Sequence, residues 1–277
     1  MLLVCCPFAF CLLPLASCLS YSCMRSAPIG FFDSGVGGLT VLREALRVLP
    51  HEDYLYFADS AHAPYGVRSK EEVRELVLDA VAFMAGRGIK ALVVACNTGT
   101  SAAIEDLRQQ YDFPVIGMEP AVKSAVTGNN HQRVLVFATE LTLREEKFKN
   151  LVARVDTEGL VDYLPLQELV RYAERFEFDE AVIQAYLQEK LAALPLADYG
   201  TAVLGCTHFL FFKPMLQKVL PGIQIIDGNL GTVRNLQKQL GDQWNPKGTG
   251  KVDYFISGKP ADAAFFERYL QRLDHTH

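Results

Sequence analysis

Past residue 23 the chain has almost no cysteine: of seven, Cys5, Cys6, Cys11, Cys18 and Cys23 crowd the amino terminus, leaving only Cys96 and Cys206. That excludes a disulfide framework or a zinc-type C-x-x-C pair from the body of the chain. The two remaining thiols read as a reduced, intracellular pair, with a bridge between them left open. Positive charge is also short: 27 Lys and Arg stand against 32 Asp and Glu, a formal net charge of −5, and no basic run interleaves with aromatics. Nucleic acid is therefore not expected as a primary partner. A Walker lysine, the G-x-G-x-x-G spacing and a pyridoxal-lysine motif are all missing, which sets nucleotide and pyridoxal chemistry aside. No low-complexity linker divides the chain.

Residues 1–23 carry no charged side chain and are rich in Leu, Cys and Pro. Leu15-Ala16-Ser17-Cys18 resembles a lipoprotein cleavage box, but a signal peptide calls for a basic n-region that is absent here. A membrane span is weakened by Pro7 and Pro14. The favoured reading makes Met24 the true start and residues 1–26 a non-core extension, with no membrane partner and a cytoplasmic protein.

What the chain does have is a repeated pattern. Ala91-Leu92-Val93-Val94-Ala95 ends in Cys96-Asn97-Thr98, and Thr201-Ala202-Val203-Leu204-Gly205 ends in Cys206-Thr207-His208. Short apolar runs bounded by polar residues fit buried parallel strands. Each thiol would then sit at a strand's carboxyl end and at a helix amino terminus, a setting that lowers thiol pKa and attracts carboxylates. A lone strand-end cysteine is commonly inert packing, but two in matched contexts suggest thiol acid/base chemistry.

The alternation of elements predicts an α/β fold. Strands are expected at Ile29 to Phe32, Tyr54 to Phe57, Ala91 to Ala95, Val115-Ile116, Val134 to Phe137, Ala202 to Leu204, Ile223 to Ile226 and Val252 to Ile256. Helices are expected at Leu39 to Val48, Lys70 to Met84, Ser101 to Gln110, Leu141 to Ala153, Asp179 to Leu191, Phe209 to Val219, Thr232 to Leu240 and Ala261 to Leu273. This predicts mainly parallel sheets flanked by helices. The 110-residue separation of the thiols suggests two similar halves facing each other across a cleft. The halves are drawn at 27–119 plus 231–277 and at 120–230.

Ligands of open α/β sheets bind beyond the carboxyl ends of strands. That rule nominates Asp33-Ser34-Gly35-Val36-Gly37-Gly38, whose glycines let backbone N–H groups approach a ligand and whose Asp33 can handle a proton. It also nominates the loop Asp59 to Gly66, where Tyr65 offers a hydroxyl and Gly66 a close N–H. His208 gains weight from its nearness to Cys206; His51, His62, His131, His275 and His277 have no comparable setting.

Together, Asp33-Ser34-Gly35, Pro64-Tyr65-Gly66, Ala95-Cys96-Asn97-Thr98 and Gly205-Cys206-Thr207-His208 resemble, in order and approximate spacing, the cofactor-independent glutamate racemases. The resemblance spans nearly everything from Ile29 onward. It implies two pseudo-symmetric domains that interconvert L- and D-glutamate and supply D-glutamate for peptidoglycan, with no cofactor and no metal. Carried over by motif, Cys96 deprotonates D-glutamate with help from Asp33, and Cys206 deprotonates L-glutamate with help from His208. Ser34, Tyr65, Gly66, Asn97, Thr98 and Thr207 match substrate-holding positions. A further carboxylate near the second thiol corresponds to Glu174, with Glu168 the alternative. Gly99-Thr100 and Phe209-Leu210 depart from the family's common Ala-Ser and Tyr-Pro, which alters the pocket wall and leaves the chemical groups intact. Racemases of this type are often homodimers. Two alternatives stay open on the residues alone: a racemase of aspartate or another amino acid, and a catalytically idle binding protein.

Overall fold

The computed structural model describes residues 25–128 and 131–274, so the cysteine-rich segment discussed above lies outside the described residues. The chain begins with β1 (Ile29–Asp33), α1 (Leu39–Val48), β2 (Tyr54–Ala58), α2 (Lys70–Ala85), β3 (Ala91–Val94), α3 (Asn97–Gln110), β4 (Val115–Gly117) and α4 (Val122–Gly128). It continues through β5 (Arg133–Ala138), α5 (Glu140–Arg144), α6 (Glu146–Val155), β6 (Val161–Pro165), α7 (Gln167–Glu174), α8 (Glu180–Leu191), β7 (Tyr199–Leu204), α9 (Lys213–Val219) and β8 (Gln224–Asp227). It closes with α10 (Asn229–Leu240), β9 (Val252–Ile256), β10 (Lys259–Pro260) and α11 (Ala263–Asp274). Two short 3₁₀ turns, Tyr65–Val67 and Thr207–Phe212, matter for the site.

Two sheets form. The first has the order β10-β9-β2-β1-β3-β4 and the second β6-β5-β7-β8. All pairings are parallel except that of the short β10 with β9. The first four strands of the chain lie in the order 2-1-3-4 within the first sheet, and the second sheet repeats it with β5, β6, β7 and β8 as first to fourth. Such an order reverses direction beside its first strand, and the crevice at that reversal is where ligands bind. Cys96 follows β3 and Cys206 follows β7, so the two thiols occupy equivalent positions.

The physical basis is ordinary. Strands β1 to β3 are buried along their whole length, as strands covered by helices on both faces must be. Helix α2 starts with a capping box in which the Ser69 hydroxyl accepts from the Glu72 N–H and the Glu72 carboxylate accepts from the Ser69 N–H. Glu140 to Val155 departs from the expected single helix: it breaks at Glu145, which has extended backbone and begins α6 after α5 ends. The stretch after Cys206 likewise opens as a 3₁₀ turn and becomes α-helical only at Lys213. Strands β6 and β10 and helices α4 and α7 were not anticipated. Strand β6 mixes polar and apolar residues because it is an edge strand with partly exposed side chains.

Candidate active site

Cys96 is the N-cap of α3, and its sulfur accepts the Gly99 N–H at 3.3 Å. Its sulfur also lies 3.6 Å from the Ser34 hydroxyl oxygen. A helix amino terminus was expected to make this thiol acidic, and the outcome is the reverse. Burial pushes the Cys96 thiol up to about 12, the nearby Asp33 carboxylate adds to the rise, and the Gly99 and Ser34 contacts only partly offset it.

Cys206 sits 3.8 Å from His208 Nδ1. The other ring nitrogen of His208 lies 2.7 Å from Glu174 Oε1. The same carboxylate accepts the Val36 N–H at 2.8 Å and the Ser60 hydroxyl at 3.2 Å. Burial disfavours the imidazolium, yet hydrogen bonds to Cys206 and Glu174 overcome it and hold the His208 pKa well above the ordinary value. Glu174 ends α7, where the helix carbonyls disfavour a negative charge, so His208 and the two donors from the first sheet's loops supply what the helix does not. Beyond it Phe176 adopts a left-handed backbone (φ 58°) and stacks edge-on against Phe178 and Tyr269, which stops the helix. Glu168, earlier in the same helix, is partly exposed and pairs with Arg171 instead.

Asp33 joins the two halves. Its carboxylate accepts the Gly35 N–H at 3.0 Å and the Thr207 hydroxyl at 3.1 Å, reaching the strand end that carries Cys206 rather than the Cys96 sulfur. Complete burial raises its pKa to about 6, against the opposing pull of His208. The glycines of this loop are needed for space: a methyl group at Gly35 would overlap the Glu174 carboxylate, and one at Gly37 would stand 2.3 Å from His208 Nδ1.

The remaining nominated residues gather around the same centre. Thr98 Oγ1 is 2.9 Å from Thr139 Oγ1 and 3.2 Å from Thr142 Oγ1, a hydroxyl cluster bridging the halves. Asn97 Nδ2 donates to the Met118 carbonyl at 3.4 Å. Tyr65 is buried, its hydroxyl donates to Asp59 at 2.6 Å, and its carbonyl accepts the Arg68 N–H at 3.1 Å. Gly66 packs against Thr139 and Gln167 of the second half. Thr139, Thr142 and Gln167 went unnamed in the sequence, although the strand-end rule that found Asp33 and the Asp59 loop also points to Thr139 after β5 and Gln167 after β6. Cys96 and Cys206 are both free thiols. Among the described residues no group of His, Cys, Asp and Glu is placed to hold a metal ion, and no helix is long and apolar enough to cross a membrane.

Two parallel-sheet halves of one strand order, each presenting a cysteine at the equivalent strand end, define the paired-thiol class of α/β proteins. The chain belongs to the Asp/Glu/hydantoin racemase family, which matches residues 36–236. It is 55% identical over 249 residues to a glutamate racemase of Halothermothrix orenii, covering 88% of this chain and 98% of the relative. It is 51% identical over 257 residues to glutamate racemase 2 of Bacillus subtilis, covering 90% and 97%. Among solved structures, Escherichia coli glutamate racemase in complex with L-glutamate and the activator UDP-MurNAc-ala superposes with a TM-score of 0.76 at 30% identity, over 89% of this chain and 95% of that one.

Proposed function

We propose that this chain is a glutamate racemase that interconverts L- and D-glutamate through two cysteines, Cys96 and Cys206. The observation that carries the reading is the equivalent placement of the two thiols, each with its own acid/base neighbours, in a chain 55% identical to a glutamate racemase. An α-proton is far less acidic than a thiol, so the base must be desolvated and the developing carbanion must be met by fixed donors. Cys96 takes the proton from D-glutamate and Cys206 from L-glutamate, and in each direction the opposite thiol returns a proton to the other face.

Asp33 assists Cys96 through its charge while hydrogen-bonded to Thr207, and the His208–Glu174 pair assists Cys206. The raised Cys96 pKa means that the thiolate forms only when compensated, and the substrate ammonium, drawn in by Asp33 and Glu174, supplies positive charge where it is needed. Ser34, Tyr65, Gly66, Asn97, Thr98 and Thr207 hold the substrate, Tyr65 and Gly66 through backbone N–H groups. The domains divide at 27–119 plus 231–277 and 120–230. The enzyme works in the cytoplasm as a homodimer, without cofactor, metal, nucleic acid or membrane, and supplies D-glutamate for peptidoglycan.

The test is solvent deuterium incorporation at the α-carbon of each enantiomer of glutamate and of aspartate, with Cys96→Ala and Cys206→Ala alongside the wild type. Glutamate exchange and racemisation by the wild type, with racemisation lost in both variants, is the expected result. Elimination of halide from a halogenated analogue should persist in at least one variant, since it needs only one base. Full racemisation by either variant would refute the two-thiol assignment.

A further inference from the structure

Gln167 is the first residue of α7 and stands at the carboxyl end of β6. It is 8% exposed, and neither its Oε1 nor its Nε2 has a hydrogen-bond partner among the described residues. A carboxamide can use four hydrogen bonds, and leaving one of its groups buried and unpaired costs about 1–3 kcal/mol. A buried polar group without a partner in a folded protein calls for a reason, and a role at a binding or catalytic site is one.

Its surroundings point to the ligand. By sheet order the end of β6 is the counterpart of the end of β2, where Ser60 reaches across the halves to Glu174. Gln167 reaches the opposite way, toward the substrate-holding turn: a methyl group on Gly66 would stand 2.4 Å from Gln167 Oε1 and 2.6 Å from Thr139 Cβ. The hydroxyls of Thr98, Thr139 and Thr142 are largely occupied with one another. On the other side of the site the carboxylates of Asp33 and Glu174 favour an ammonium and repel a second carboxylate. The buried cation Lys90 is engaged with Glu52 and lies at the other end of the first sheet. Neutral donors near Gly66 are therefore what remains for a distal acidic group.

We propose that Gln167 is a specificity-determining residue whose carboxamide N–H holds the distal carboxylate of the amino-acid substrate, beside the backbone of Gly66. The assignment rests on the racemase reading above and deepens it, because it names the group that selects an acidic side chain.

The experiment measures kcat and KM for both glutamate enantiomers by circular dichroism in the wild type, Gln167→Leu and Gln167→Glu, together with thermal melts. Gln167→Leu keeps the volume and removes the donor, so KM rises about tenfold or more while kcat stays within about threefold. Gln167→Glu sets carboxylate against carboxylate and raises KM further, by about a hundredfold. Should a buried carboxylate unfold Gln167→Glu, Gln167→Met joins Gln167→Leu as the second donor-free variant. Variants that melt like the wild type and keep its KM, or that lose kcat with KM unchanged, overturn the proposal. If the wild type turns over aspartate instead of glutamate, the glutamate reading fails alone and the same KM ratios on aspartate judge Gln167. If it exchanges the α-proton of neither, both fall.

Discussion

At the scale of single residues, the site holds groups whose environments work against stability. Asp33 is fully buried with its pKa raised to about 6 from an ordinary 3.8. The folded chain thus binds this proton more tightly than the unfolded chain does. Its effect on stability is neutral below pH 3.8, turns unfavourable as pH rises through the interval, and is fully unfavourable above about 6. A shift of about two pH units corresponds to about 3 kcal/mol, an upper figure because Asn retains only one acceptor for the Gly35 and Thr207 donors. Asp33→Asn should therefore raise the urea midpoint at pH 8 and change it little at pH 4, while racemisation falls by about a hundredfold or more. A variant less stable than the wild type at pH 8 would show that the hydrogen bonds of Asp33 outweigh its burial. Cys96 carries the same lesson: the helix amino terminus was legible in the sequence, but the depth of burial that overrides it was not, since it depends on residues such as Phe32, Tyr65 and Val77 brought together from separate elements.

At the scale of elements, what could be read was whatever depends on local pattern. Apolar runs gave β1, β2, β3 and β5 to within about a residue at each end, because burial on both faces leaves no alternation to misread, whereas β7 begins at Tyr199, ahead of the expected Ala202. Edge strand β6 escaped, since Val161, Asp162, Tyr163 and Leu164 alternate inward and outward without a clear apolar run. Helix α7 carried a signal that went unused: Leu166, Leu169, Val170 and Ala173 recur at helical spacing and are all buried. A helix there sets Glu174 one position past that buried stripe, within reach of His208, and separates it from Glu168. Glycine positions show why space around an element matters as much as its type. Gly37→Ala would press a methyl group against His208 Nδ1 and Thr207 Oγ1, both buried, and the imidazole must move off its 3.8 Å contact with Cys206. A displacement near 1 Å at a catalytic group costs about a hundredfold, so kcat should fall by that order. Gly231, exposed within α10 with open space around it, provides the contrast: Gly231→Ala should gain about 0.5–1 kcal/mol in a denaturant melt and leave kcat unchanged. Equal kcat in Gly37→Ala and the wild type would mean that His208 tolerates displacement and has no part in proton transfer.

At the scale of the whole molecule, the first sheet is assembled from both ends of the described chain, and the same division of labour governs each strand: carboxyl ends serve the site, amino ends serve cohesion. The resemblance to the racemases made the pairing of the halves legible, because motifs 110 residues apart could be matched at once. The cohesion was not legible, since it depends on single side chains meeting across long sequence distances. At the amino ends of β2 and β3, Glu52 and Lys90 form a buried ion pair at 2.6 Å. Lys90 Nζ also donates to the Arg25 carbonyl at 2.6 Å and the Gln243 carbonyl at 3.0 Å, and Glu52 Oε1 accepts the Asn245 N–H at 2.7 Å. Burial lowers the Lys90 pKa and the Glu52 carboxylate resists that fall, so the charge is held by its partners rather than by water. One cluster thereby joins the segment before β1, the loop before β2 and the segment leading into β9. Removing one partner strands the other charge without solvent, a loss of about 3–5 kcal/mol, whereas replacing both charges is far less costly. Lys90→Met should accordingly drop the urea midpoint sharply, and the double variant Lys90→Met with Glu52→Leu should recover much of the loss. Racemisation per folded molecule should stay at the wild-type level in both, because the cluster lies a full strand length from the thiols. A Lys90→Met protein as stable as the wild type would show that the pair contributes nothing net, and the β2–β9 pairing with the Asp53 bonds to Thr249 and Lys251 would then hold these segments together.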